Sequence, residues 1–226
     1  VVCLLAFNDS VFTSLPWKGF TLDWFIGEGP EKIGLFNDTR NVNGMVISFY
    51  TAIFVTILTL VIGTLAAFLF EQEEFIGKKY LYFLLIGPLV VPGVIIGISI
   101  LSFSNTLGNF VETNTGLYLN IFAPGFWLVI LGQSTYITPY VALVVMARLK
   151  KFDRTLEEAA YNLGANRFEV VWHITLKFLK PALVAGGAVA FVLSFDNFNT
   201  TLFLVGSQPT MPITLFTQVR DGSTPV

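Results

Sequence analysis

Four stretches of this chain, Gly44 to Phe70, Tyr80 to Ser104, Phe122 to Ala147 and Pro181 to Val205, are apolar almost throughout, and Asp196 is the one charged residue within them. A helix crosses a bilayer with about 20 apolar residues, so each run is long enough to span. None alternates apolar with polar, which excludes a transmembrane barrel. Composition agrees: 54% of residues are hydrophobic and 12% charged, against about 25% charged in an ordinary soluble domain. One water-facing core could not take up so much apolar surface. The expected fold class is therefore all-α, a polytopic helical membrane protein. The net charge of −2 gives no footprint for nucleic acid. A single Cys and a single His exclude an internal disulfide and a Cys/His metal cluster.

Residues 1–226 read as a single transmembrane domain. Val1 to Phe7 is apolar but short, and is read as the outer end of a truncated first span; the sequence ends at Val226 in a loop. Nine of the 13 basic residues, Lys78, Lys79, Arg148, Lys150, Lys151, Arg154, Arg167, Lys177 and Lys180, fall in segments 71–79 and 148–181. Lys and Arg accumulate in cytoplasmic loops, so these segments are expected inside and 8–43 outside. Trp17, Phe20, Trp24 and Phe25 suit that outer segment to the membrane surface. Pro88, Pro92 and Pro139 each remove a helix hydrogen bond. They read either as tolerated bends or as bends lining a pathway. Gly93 and Gly97 permit close helix contact.

The segment 148–181 carries the most local information. Thr155 and Glu158 fit a capping box that starts a short helix over Leu156 to Leu163. Gly164 stands where a left-handed cap is wanted. Asn166 and Glu169 fit a second box, followed by Phe168, Val171, Trp172 and Leu176 at helical spacing. The pattern predicts two capped helices joined by a glycine elbow. Such an elbow either docks in a partner's groove or lies on the surface unpartnered. His173 is expected on the helix surface and Cys3 facing lipid.

The run Glu158-Ala159-Ala160, Gly164, Ile174-Thr175-Leu176 resembles the EAA signature of bacterial ABC importer permeases, and the resemblance extends through Glu157, Leu163 and Ala165. Lys177 stands where that family usually has Pro, which leaves Pro181 as the expected helix break. The stretches AFNDS, GFTLDWF, SFDNFNTTLFLVG and LFTQVRDGSTP resemble the spermidine/putrescine permease branch. The resemblance implies a fold of six spans, the last following Val226. It also implies a second permease subunit, two ATP-binding cassette ATPase subunits at the EAA loop, an extracytoplasmic solute-binding protein, and an inner-membrane location in lipid. Glu157, Glu158, Ala159, Ala160, Leu163, Gly164 and Ala165 would form the ATPase-coupling segment.

No G-x-x-x-x-G-K-[ST] run is present, so the chain holds no phosphate loop. No residue set points to catalysis, to a cofactor or to a metal. Asp196 is expected in the outer half of the last span, flanked by Phe195 and Phe198 with Asn197 and Asn199 nearby. A carboxylate inside a span is costly and faces a cavity or a partner. Among aromatics it suits an ammonium, through ion pairing and cation–π contact. Phe195, Asp196, Phe198 and Asn199 are the candidate substrate path; Asp196 could equally cap a helix or pair with the second permease. A permease for iron, thiamine or a related solute, and a passive channel or secondary transporter, remain the alternatives.

Overall fold

The computed structural model describes residues 4, 6–10, 16–29 and 32–220, with backbone alone at 28, 29, 32 and 33. Cys3, most of the expected end of a first span and the last six residues lie outside the described part. A short helix α1 (Asp23–Ile26) and two paired two-residue strands, β1 (Glu28–Gly29) and β2 (Lys32–Ile33), precede the long helix α2 (Thr39–Gln72). Then come α3 (Lys78–Ile86), α4 (Gly93–Thr115), α5 (Phe126–Leu149), α6 (Thr155–Asn162), α7 (Arg167–Phe195) and α8 (Met211–Arg220). Helices α2, α4, α5 and α7 are long and apolar enough to cross a membrane.

The core lies where α2, α5 and α7 meet. Between membrane helices hydrophobicity drives little, so small residues that permit close approach mark the contact faces. Ser48, Thr51, Ala52, Val55, Thr59, Gly63 and Ala67 are buried positions of α2, mostly spaced three and four apart. Ile57, Val61 and Leu65 point outward on the same helix. Helix α7 repeats the pattern with Leu179, Ala182, Gly186, Ala190 and Ser194. A Cβ on Gly63 would sit 3.0 Å from Val141 of α5, so glycine sets the closest approach of α2 to α5. Helix α5 is central: 67% of its apolar window is buried, against 11% for α4.

Two expected spans are corrected. The run from Tyr80 to Ser104 is not one helix. Gly87–Leu89 tightens to a 3₁₀ turn and Pro92 is extended, with φ −55° and ψ 132°. Pro92 offers no N–H and disfavours the α conformation at Val91. A new helix starts at Gly93 and runs to Thr115. The last span is Arg167–Phe195 rather than Pro181 to Val205. Pro181 sits inside it without ending it, and the irregularity lies earlier, in a π-turn at Val171–Thr175. Pro139 is likewise carried inside α5, and Thr138 bonds back to the Ser134 carbonyl at 2.7 Å.

Trp24 does not rest on a membrane surface. It is 3% exposed, and its indole N–H donates to the Asn8 carbonyl at 2.9 Å, tying the segment ahead of α2 to itself. Trp17 and Phe20 stay exposed. Helix α8 runs antiparallel along the first turns of α2: the Met211 N–H donates to Ser48 Oγ at 2.8 Å and Gln218 Nε2 to Asp38 Oδ2 at 3.2 Å.

Candidate functional site

Two regions carry the candidate residues: the elbow between α5 and α7, and a concavity beyond the far end of α7. The elbow forms from its own sequence, with one change of cap. Asp153, not Thr155, opens α6. Its Oδ1 accepts the Thr155 N–H at 3.0 Å and the Thr155 hydroxyl at 2.8 Å, and these bonds hold its carboxyl below the usual range. Thr155 lies already inside the helix, so its expected box with Glu158 does not form. Gly164 has φ +90°, and the bonds Ala165 N–H to Ala160 O and Gly164 N–H to Tyr161 O complete a Schellman end. The second box is present in full: the Glu169 N–H donates to Asn166 Oδ1 at 3.0 Å, and the Asn166 N–H donates to Glu169 Oε2 at 2.8 Å.

Three contacts fasten the elbow to the spans. The Thr175 hydroxyl donates to Glu157 Oε1 at 2.6 Å, joining α6 to the π-turn of α7. Arg154 Nη2 donates to the Glu71 carbonyl at 3.0 Å, reaching the end of α2. Lys150 lies 3.6 Å from the Glu71 carboxylate. The outward face carries large apolar side chains that no described residue covers, set among charged ones. Leu163 is 89% and Phe168 75% exposed, and Phe168 stacks on the exposed Trp172 with ring centroids 6.1 Å apart. Glu158, Ala159 and Gly164 are exposed, while Glu157, Ala160 and Ala165 are half-buried. His173 is exposed, as expected.

Asp196 is not inside a helix. It is the C-cap residue of α7, and the chain beyond it is irregular as far as a 3₁₀ turn at Thr201–Phe203. Its side chain is exposed and makes no hydrogen bond or ion pair with another described residue. It opens into a concavity of about 420 Å³ whose walls include Gly93, Tyr136, Phe198 and Asn199. Phe198 therefore joins Asp196 and Asn199. Phe195 stacks on Phe191 at 6.0 Å and is not among the lining residues. Asn197 turns inward, where its Oδ1 accepts the Thr200 N–H at 3.2 Å.

Sequence reasoning missed Tyr136, whose hydroxyl lies 3.2 Å from that of Tyr140, and Gln133, which is fully buried. Both had a signal. Tyr136 and Tyr140 are four apart on one helix face, and Gln133 is a lone amide within the apolar run of α5.

An exposed capped elbow set between two of four helices long enough to cross a membrane, three of them packed on one core, fits a multi-pass membrane subunit of the importer-permease class. The chain belongs to the family of binding-protein-dependent transport system inner membrane components, which matches residues 59–224. It is 30% identical over its whole length to the putrescine transport system permease protein PotI of Escherichia coli K12, covering 75% of that protein. It is 29% identical to the spermidine/putrescine transport system permease protein PotC of Haemophilus influenzae, over 97% of this chain and 78% of the other. In fold it is similar to a bacterial ABC transporter involved in the import of the acidic polysaccharide alginate, with a TM-score of 0.68 at 12% identity. That match covers 96% of this chain and 71% of the other.

Proposed function

We propose that this chain is one of two permease subunits forming the pathway of an ATP-driven importer for polyamines such as putrescine or spermidine. The elbow is the cytoplasmic docking segment for an ATP-binding cassette subunit. Its partners are the second permease, two such ATPases, and a solute-binding protein that delivers cargo from outside. The observation that carries this reading is the elbow itself. It is held by its own caps, bonded to two spans, and presents large apolar side chains that no described residue covers.

In this mechanism the ATPase grips Leu163 and Phe168, against the small surface of Ala159 and Ala160. Gly164 and Ala165 turn the chain, and Glu158 lies on the exposed face of α6. Closure of the ATPases on nucleotide displaces the elbow. Glu157 passes the displacement to α7 through Thr175, and Arg154 passes it to α2 through Glu71. Helix α7 ends at Asp196, so its movement alters the concavity that the carboxylate lines.

The polyamine reading is supported by the names of the relatives and by the chemistry of that concavity. A carboxylate without a partner among the described residues, the Asn199 amide and the rings of Phe198 and Tyr136 suit an ammonium group. Weak, transient pairing fits a site that must also release. The test is uptake of radiolabelled putrescine into proteoliposomes holding the assembled importer, with ATPase retention measured by pull-down. Native-rate uptake by Asp196→Asn removes the substrate role. Loss of ATPase retention in that variant makes Asp196 structural.

A further inference from the structure

Gln133 is a full amide at zero exposure inside a membrane helix, a costly placement unless every polar atom is partnered. Its partners form a chain with one direction. The Thr200 backbone N–H donates to Asn197 Oδ1 at 3.2 Å, and that donor is fixed. The Thr201 hydroxyl, 3.5 Å from the same oxygen, must therefore donate to it as well. Thr201 then accepts from Gln133 Nε2 at 2.7 Å. Gln133 Oε1 is left to accept the Ser194 hydroxyl. The chain begins on the last turn of α7, passes through α5 and ends on the irregular segment, so it straddles Asp196. On the other side, α4 presents glycine. A Cβ on Gly97 would lie 2.7 Å from the Thr200 carbonyl, and one on Gly93 3.1 Å from the Asn199 Cβ.

We propose that Gln133 is a positioning residue for the substrate site: its directed hydrogen bonds to Ser194 and Thr201 clamp segment 196–200 so that Asp196 and Asn199 face the concavity. The proposal rests on the polyamine reading above. Gln133→Met keeps the length of the side chain and removes both the donor to Thr201 and the acceptor for Ser194. Thr201→Val keeps the shape and removes the middle link.

The experiment places a thiol at the pocket, Asn199→Cys in a Cys3→Ala chain, within the importer reconstituted in proteoliposomes. Labelling by a membrane-impermeant maleimide is timed with and without putrescine. With Gln133 intact the thiol labels readily and putrescine slows it. In Gln133→Met and in Thr201→Val the labelling rate changes by about tenfold, the effect of ~1.4 kcal/mol, and putrescine protection falls away. Equal rates and equal protection in all backgrounds overturn the proposal. If putrescine never protects, the polyamine reading of the site fails. The unprotected rates then decide the clamp alone: a changed rate upholds it and an unchanged rate overturns it. Should Gln133→Met fail to assemble, Thr201→Val answers the same question.

Discussion

The Thr175 hydroxyl donates to the Glu157 carboxylate at 2.6 Å, across eighteen residues of sequence. Glu157 lies in the first turn of α6 and Thr175 closes the π-turn of α7, so the bond crosses the glycine elbow and makes it a closed loop. π-turns recur at functional places in helices because their extra residue gives the helix room to shift register.

Thr175→Val removes the donor and keeps the shape. A hydrogen bond to a charged group contributes about 1.5–3 kcal/mol. The elbow should loosen without unfolding. The expected result is ATP hydrolysis that continues while solute transported per ATP falls several-fold. Measuring both in the same proteoliposomes checks it; an unchanged ratio shows that the bond does not transmit movement.

Gly164 holds φ +90° with nothing within 4 Å of where a Cβ would stand. Substitution there is opposed by backbone conformation alone, at about 1–2 kcal/mol. Gly164→Asp and Ala160→Arg are each expected to abolish uptake while membrane insertion stays normal, the first through the turn and the second through bulk on the docking surface. Normal uptake with both combined contradicts the docking role.

Tyr136 presents a ring to the concavity that Asp196 lines. Tyr136→Phe keeps the ring and should leave polyamine uptake within about twofold, whereas Tyr136→Leu should raise the half-saturating concentration about five- to tenfold, near the ~1 kcal/mol of a cation–π contact. Saturation curves for the two variants decide between a ring that meets cargo and one that only packs.

The Asp153 carboxyl titrates below its ordinary 3.8 because Thr155 donates to it twice. A depressed folded value means that the cap is fully present above the ordinary value and is lost as pH falls through the lowered one. Amide exchange at Thr155, corrected for intrinsic rate, should stay level from neutral pH down to the ordinary carboxylate range. Asp153→Ala should exchange faster over that whole interval. A rise near neutral pH in the native chain excludes this cap.

Membrane class, the number of described spans and the capped elbow were legible in the sequence because each rests on local physics. A run of about twenty apolar residues spans wherever it occurs. Asn166 with Glu169, and Gly164 at a helix end, close hydrogen bonds within a few residues. Even locally, Asp153 displaced Thr155 as the cap, since a carboxylate two residues earlier reaches the Thr155 N–H. The rest depended on tertiary structure. Pro92 broke one apolar run while Pro139 and Pro181 did not, because a proline's effect depends on what packs around the freed carbonyl. Asp196 counted as intramembrane only while α7 was assumed to continue through it. Its place at a helix end beside Tyr136 and Gly93, and the link of Gln133 to Ser194 and Thr201, join residues far apart in the chain, 61 and 68 positions in the case of Gln133. Apolar periodicity gives each helix a face, but only the packed bundle decides which faces meet.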